Sequence, residues 1–265
     1  MIRADRSAVR VIVTRPAAQA QTWVHELRAR GIDALALPLI GIGPPADPAP
    51  VRAAWAALAD QALLVFVSPN AVEQFFALAP TTPPAPWPPG TLAGSPGPGT
   101  TRELRARGVP AAAIVEPAAD APQFDSETLW AQLRDRDWEA RRVLIVRGDG
   151  GRDWLADTLR NAGAEVETLA AYRRVAAQPT PNEQALLNAA LALPDRHLWL
   201  FSSSEAIDRL AALRPGLDAS AWRGARAIAT HPRIAERARS LGIGQVHPAR
   251  PGLDAVVACI QSIRP

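Results

Sequence analysis

Six short stretches set small hydroxyl residues, glycine and arginine ahead of helix-forming sequence. They are Thr14-Arg15-Pro16, VSPNAV (67–72, with Ser68 and Asn70), GPGT (97–100), RGDGGR (147–152), SSSEA (202–206, with Ser203 and Ser204) and THPR (230–233). Taken singly, each is first a helix N-cap or a tight turn. Taken together, they supply hydroxyls, backbone N–H groups at helix starts and the guanidiniums of Arg15, Arg147, Arg152 and Arg233. That inventory suits several carboxylates or phosphates at once. The ligand it implies is polyanionic.

Other chemistries lack their residues. All 29 basic residues are arginine, so neither a lysine Schiff base nor a P-loop lysine is available. Neither GDGGR nor GSPGPGT fits the dinucleotide pattern GxGxxG, and there is no GxSxG nucleophile elbow. His25, His197, His231 and His247 do not fall in metal-ligand spacing, and His25 is expected on a helix surface. The single cysteine, Cys259 within VVACI, excludes an intrachain disulfide and is expected to act as a small buried hydrophobe. With a net charge of +3 and arginine interleaved with Asp and Glu, no basic stripe marks a nucleic-acid partner. The start lacks the apolar core of a signal peptide and no apolar run reaches the length of a membrane span, which points to a cytoplasmic protein without a membrane partner. What remains is chemistry on a small anion with no metal and no cofactor.

The elements that must hold these turns recur. VRVIVTRPAAQAQTWVHELRARGIDALALP has a β-branched strand, a turn, a helix with Trp23, Val24 and Leu27 on one side, a stop at Gly31 and a second strand. RRVLIVRGDGGRDWLADTLRNAGAEVETLAAY repeats it, with Trp154, Leu155 and Leu159 as the apolar side and Gly163 as the stop. ALLVFVSPNAVEQFFAL pairs in the same way with HLWLFSSSEAIDRLAAL, and TLAGSPGPGTTRELRARGVPAAAIV with ARAIATHPRIAERARSLGIGQVHP. Gly31 lies 132 residues before Gly163, Ser68 135 before Ser203, and Gly108 134 before Gly242. Such near-constant offsets indicate an internal duplication. Strands alternating with helices predict parallel sheets covered on both faces, with sites at the carboxyl ends of the strands. The six turns fall at those ends.

On these motifs the sequence resembles the uroporphyrinogen-III synthase family. The resemblance rests on Thr14-Arg15-Pro16, FVSPNAV, Gly97-x-x-Thr100 before LRxxG, RGDGGR followed by LxxxGAEV, the Tyr172-Arg173 pair and FSSSEA, and runs from about residue 9 to 260. It implies an α/β protein of two flavodoxin-like parallel-sheet lobes joined by a two-stranded extended linker. Lobe 1 would hold residues 1–39 and 176–265, lobe 2 residues 44–168, and the linker strands 38–43 and 169–175. The implied reaction is cofactor-free closure of hydroxymethylbilane to uroporphyrinogen III, with loss of water and inversion of ring D. The implied site has Tyr172, the only tyrosine of the chain, as proton donor or orienting group facing a cleft between the lobes. Arg15, Ser68, Asn70, Gly97, Thr100, Arg147, Arg152, Ser203, Ser204 and Thr230 would hold substrate, and the protein would act as a monomer. Val67 departs from the threonine common in relatives, and the Pro-rich run Ala79–Gly90 blurs the match into GPGT. Two alternatives stay open: a bilobal small-anion binding protein without turnover, and a nucleotide-dependent transferase or reductase.

Overall fold

The structure is a computed structural model that describes residues 9–80 and 86–263 of the 265. The chain start and the central part of the Pro-rich run lie outside the described residues. In chain order the elements are β1 (Arg10–Val13), α1 (Ala17–Ala29), β2 (Ala34–Ala36), β3 (Ile40–Gly43), α2 (Ala49–Ala56), β4 (Leu63–Phe66), α3 (Pro69–Ala77), β5 (Leu92–Gly94) and α4 (Pro98–Ala106). There follow β6 (Ile114–Val115), α5 (Ser126–Leu133), β7 (Arg142–Gly148), α6 (Trp154–Asn161), β8 (Glu165–Ala176) and α7 (Pro181–Ala192). The last are β9 (His197–Phe201), α8 (Ser204–Ala212), β10 (Arg226–Ala229), α9 (Pro232–Leu241), β11 (Gln245–Pro248) and α10 (Leu253–Ser262).

The strands form two sheets, and the chain divides into two compact units. One unit holds the chain up to Gly41 and from Val175 onward, and the other holds Ile42–Arg174. The first sheet runs β11-β10-β9-β1-β2 and is parallel throughout. The second runs β3-β8-β7-β4-β5-β6, with parallel pairing from β8 through β6. The central strands β4 and β9 are buried along their whole length, which explains why LLVF and the LWLF that follows His197 are continuous apolar runs without polar alternation.

The internal repeat is visible strand by strand. Read as β11-β10-β9-β1-β2 and β6-β5-β4-β7-β8, the two sheets place equivalent segments in the same spatial order. In the chain, however, the unit that begins with β1 comes before its partners β9 and β10, whereas the equivalent unit beginning with β7 follows β4 and β5. All four repeat glycines follow helices in the left-handed region, with φ of 71° at Gly31, 94° at Gly163, 85° at Gly108 and 105° at Gly242. A residue with a Cβ is strained there, so glycine ends these helices where the spacing predicts.

The apolar side expected for α6 needs one correction. Leu155, Ala156 and Leu159 are buried, but Trp154 is 39% exposed. Trp154 is the first residue of the helix, and the stripe 155, 156, 159 turns it away from the sheet. Cys259 is half-buried against the core of the first unit, and burial pushes its thiol up from its ordinary value. His25 is exposed, as its mid-helix position predicts. Among the described residues no helix is long and apolar enough to cross a membrane, and no three His, Cys, Asp or Glu gather into a metal-binding group.

Candidate functional site

In the Ile42–Arg174 unit, β4 ends at Phe66 and the chain reaches Ser68, the N-cap of α3. Its Oγ accepts the Ala71 N–H at 3.2 Å and lies 3.1 Å from Oη of Tyr172. Tyr172 comes from β8, two strands away in the same sheet. A β-bulge aims it there: Arg147 pairs with Ala170 but Gly148 pairs with Tyr172, so Ala171 is an extra residue. Simple alternation would send Ala171 and Tyr172 to opposite faces, yet both join the core cluster that holds Leu169, Phe66 and Phe75. The phenol ring then crosses Gly148 so closely that a Cβ on that glycine would stand 2.8 Å from ring carbons Cε2 and Cζ. Glycine at 148 is what leaves room for the tyrosine.

Tyr172 is fully buried in this structure, with no exposed surface. Buried phenols need partners for the hydroxyl, and this one has them. Besides Ser68, Arg174 Nη2 donates to Oη at 3.4 Å, and the guanidinium stands 5.7 Å from the ring centre. Asp149 clamps the same strand. Its N–H donates to the Tyr172 carbonyl and its Oδ1 accepts the Arg174 N–H, each at 3.0 Å. The residue that reaches the phenol is therefore Arg174, while Arg173 is directed to the carbonyl of Pro44. Period-two alternation was the signal available, because residues 172 and 174 share a face of the strand.

The other expected residues of this unit divide by exposure. Gly97 is the N-cap of α4 without a side-chain cap, so the helix start offers backbone N–H groups. Thr100 lies in the first turn of α4 and is only 3% exposed. A network not anticipated from sequence pins the turn: Thr101 Oγ1 donates to Glu116 at 2.6 Å and lies 2.9 Å from Ser95 Oγ, and Ser95 Oγ donates to the Gly97 carbonyl at 2.9 Å. Arg147 is paired with Asp153 at 2.7 Å, and Arg152 meets Glu127 with two bonds of 2.6 and 3.0 Å. The hydrogen bond to Glu127 holds the Arg152 guanidinium still more firmly protonated than usual, against a smaller opposing effect of burial. Asn70, the second residue of α3, is half-buried beside Ser68.

In the other unit, Thr14 at the end of β1 is buried and donates through Oγ1 to the Leu200 carbonyl at 2.7 Å. Arg15 lies over the Trp23 ring at 4.3 Å. Ser203 is the N-cap of α8, but its side chain makes no cap bond; Ser204 is the first residue of that helix. Both are half-buried. Thr230, after β10, is 6% exposed, and the following His231 caps α9 by accepting the Arg233 N–H at Nδ1. The structure thus brings Ser68, Gly97, Arg147 and Tyr172 to strand ends of one sheet, and Arg15, Ser203 and Thr230 to strand ends of the other.

Comparisons with known proteins agree on one family. The model of the family described as uroporphyrinogen-III synthase HemD matches residues 21–258. The chain is similar to the uroporphyrinogen-III synthase of Synechococcus elongatus, 31% identical over 230 residues that cover 83% of this chain and 81% of that one. It is also similar to that of Escherichia coli, 29% identical over 235 residues, 88% of this chain and 91% of the other. Among solved structures, a mutant uroporphyrinogen III synthase from Thermus thermophilus superposes with a TM-score of 0.56 at 17% identity, covering 96% and 97% of the two chains. A uroporphyrinogen-III synthetase from Helicobacter pylori gives 0.54 at 17%, covering 97% and 100%. At those identities the two structures speak for the α/β fold with parallel sheets.

Proposed function

The chain belongs to the uroporphyrinogen-III synthase family, cyclising lyases of tetrapyrrole and haem biosynthesis, and from that premise we propose how its residues act on hydroxymethylbilane. The linear substrate carries eight carboxylates and closes without inversion if left alone. The protein's task is therefore largely to hold the chain so that attack at ring D gives the inverted isomer, a matter of proximity and orientation.

The carboxylates fall to the strand-end turns: Ser203, Ser204, Thr230 and Arg15 on one sheet, and Asn70, Gly97, Thr100, Arg147 and Arg152 on the other. What supports this is that α1, α4 and α8 each start without a side-chain cap, so their first N–H groups keep their capacity for an anion. Thr100 and Thr230 are too covered to offer more than position and backbone. Arg147 and Arg152 would exchange Asp153 and Glu127 for substrate carboxylates, and for the exposed Arg152–Glu127 pair that exchange costs about 1 kcal/mol or less. The acid assistance for loss of the substrate hydroxyl is assigned to the Ser68–Tyr172 pair, and the 3.1 Å contact between these hydroxyls is the observation that carries it.

The same proposal takes the two units as flavodoxin-like lobes joined by β3 and the end of β8, in a cytoplasmic monomer with no nucleic-acid or membrane partner. Purified protein without added metal or cofactor is expected to convert freshly made hydroxymethylbilane mainly to the type III isomer, at a rate unchanged by chelator. Type I alone, formed at the protein-free rate, would overturn the proposal and favour a binding protein without turnover.

A further inference from the structure

We infer that the hydroxyl which meets the leaving group of the substrate is that of Ser68, and that Tyr172 and Arg174 are positioning residues that act through it. The inference rests on the functional proposal above and follows from the direction of each hydrogen bond.

A guanidinium only donates, so Arg174 Nη2 occupies a lone pair of the phenol oxygen. The phenol has no exposed surface, and among the described residues its other partner is Ser68 Oγ. The phenol proton therefore points at Ser68. Ser68 Oγ then accepts twice, from Tyr172 and from the Ala71 N–H of α3. Both of its lone pairs are taken, so its own proton is directed away from the phenol. Ser68 is only half-buried, whereas Tyr172 is sealed. The group able to touch a ligand at this sheet edge is the serine.

The step balances as a relay. The substrate C–O bond breaks with its electron pair moving to oxygen, which takes the Ser68 proton and leaves as water. The phenol proton passes to Ser68 Oγ, and the phenolate is held by the Arg174 N–H. The nitrogen of the pyrrole that bears the hydroxymethyl group, at the end of the chain opposite ring D, carries the positive charge left on carbon. The proton released from the attacking pyrrole carbon on ring closure returns through Ser68 to Tyr172, so no co-reactant is consumed.

A double-mutant cycle tests this. Ser68→Ala, Tyr172→Phe and the double variant are compared for kcat, KM and isomer ratio, with melting curves to confirm folding. Each single change is expected to lower kcat by about 10²-fold with KM within a few-fold, and the double to be no slower than the worse single. Ser68→Thr, which keeps the hydroxyl and the cap, is expected to recover most of the rate. Should the alanine variant not fold, Ser68→Gly retains most of the helix start and gives the same comparison. Losses that multiply, a Ser68→Ala effect confined to KM, or a threonine variant as slow as alanine would each overturn the relay. Failure of the unaltered protein to make the type III isomer would instead sink the functional proposal.

Discussion

Ser68 and Ser203 stand 135 residues apart at equivalent places, each the N-cap of the helix that follows a fully buried central strand. Ser68 is closed into a chain of bonds with Ala71, Tyr172 and Arg174. Ser203 makes no cap bond at all. The strand beside the repeat's first strand differs likewise. β8 runs 12 residues and carries Tyr172 to the last residue of its neighbour β7, while β2 stops after three. Duplication supplied one scaffold twice, and a longer strand with a bulge gave one copy the Ser68–Tyr172 contact to which the proposal assigns proton transfer. The other copy keeps its helix start uncommitted, the better state for gripping a carboxylate.

The largest expected way to break this contrast is Gly148→Ala. The added methyl must displace the Tyr172 ring, so we expect a stability loss of about 1–3 kcal/mol by melting and, in folded protein, a kcat as low as that of Tyr172→Phe. An alanine variant with normal rate and melting would show that the ring's seat on Gly148 is immaterial.

A smaller effect sharpens the contrast. Ser203→Ala is expected to leave the melting temperature within a degree or so, since no cap bond is lost, and to raise KM several-fold at constant kcat, about 1 kcal/mol of ground-state binding. If kcat falls instead, the two serines share a role and the division between copies is wrong.

The smallest concerns pH. All four histidines lie outside Ile42–Arg174. Burial, with a smaller push from Arg226, lowers the His247 pKa below 6.5. As pH falls through about 6.5 the unfolded chain takes up a proton that folded His247 still refuses, so the stability it contributes is full above that pH and declines below it. Comparing melting at pH 7.5 and 5.5, His247→Gln is expected to flatten the decline slightly. An unchanged slope would clear His247.

The glycine stops and apolar strands were legible because they are local: a left-handed φ after a helix demands glycine wherever it occurs, as at Gly31 and Gly163. The turns were legible for the same reason. What escaped was nonlocal. The seal over Tyr172 depends on the bulge between β7 and β8, and no pattern within either strand shows how two parallel strands register. The family motif sets Arg173 beside Tyr172, yet Arg174 is the residue that reaches the phenol, and alternation along the strand distinguishes the two. The Ser95–Thr101–Glu116 network joins a turn to β6 and its following residue, which only the folded sheet brings together.

The permuted order of the repeat also sets a timetable. Ile42–Arg174 is contiguous, but Thr14 must find Leu200 across 186 residues before the first sheet has a centre. On a ribosome adding roughly 5–20 residues per second, β1 waits about ten to forty seconds for β9 to emerge. Nascent chains arrested once Arg174 has cleared the exit tunnel are expected to protect the middle unit from protease while Arg10–Ala36 is still cut; equal cleavage of both would refute that schedule. The first strand synthesised is thus among the last to find its place, and a cell making this protein carries an apolar strand in waiting throughout most of each round of translation.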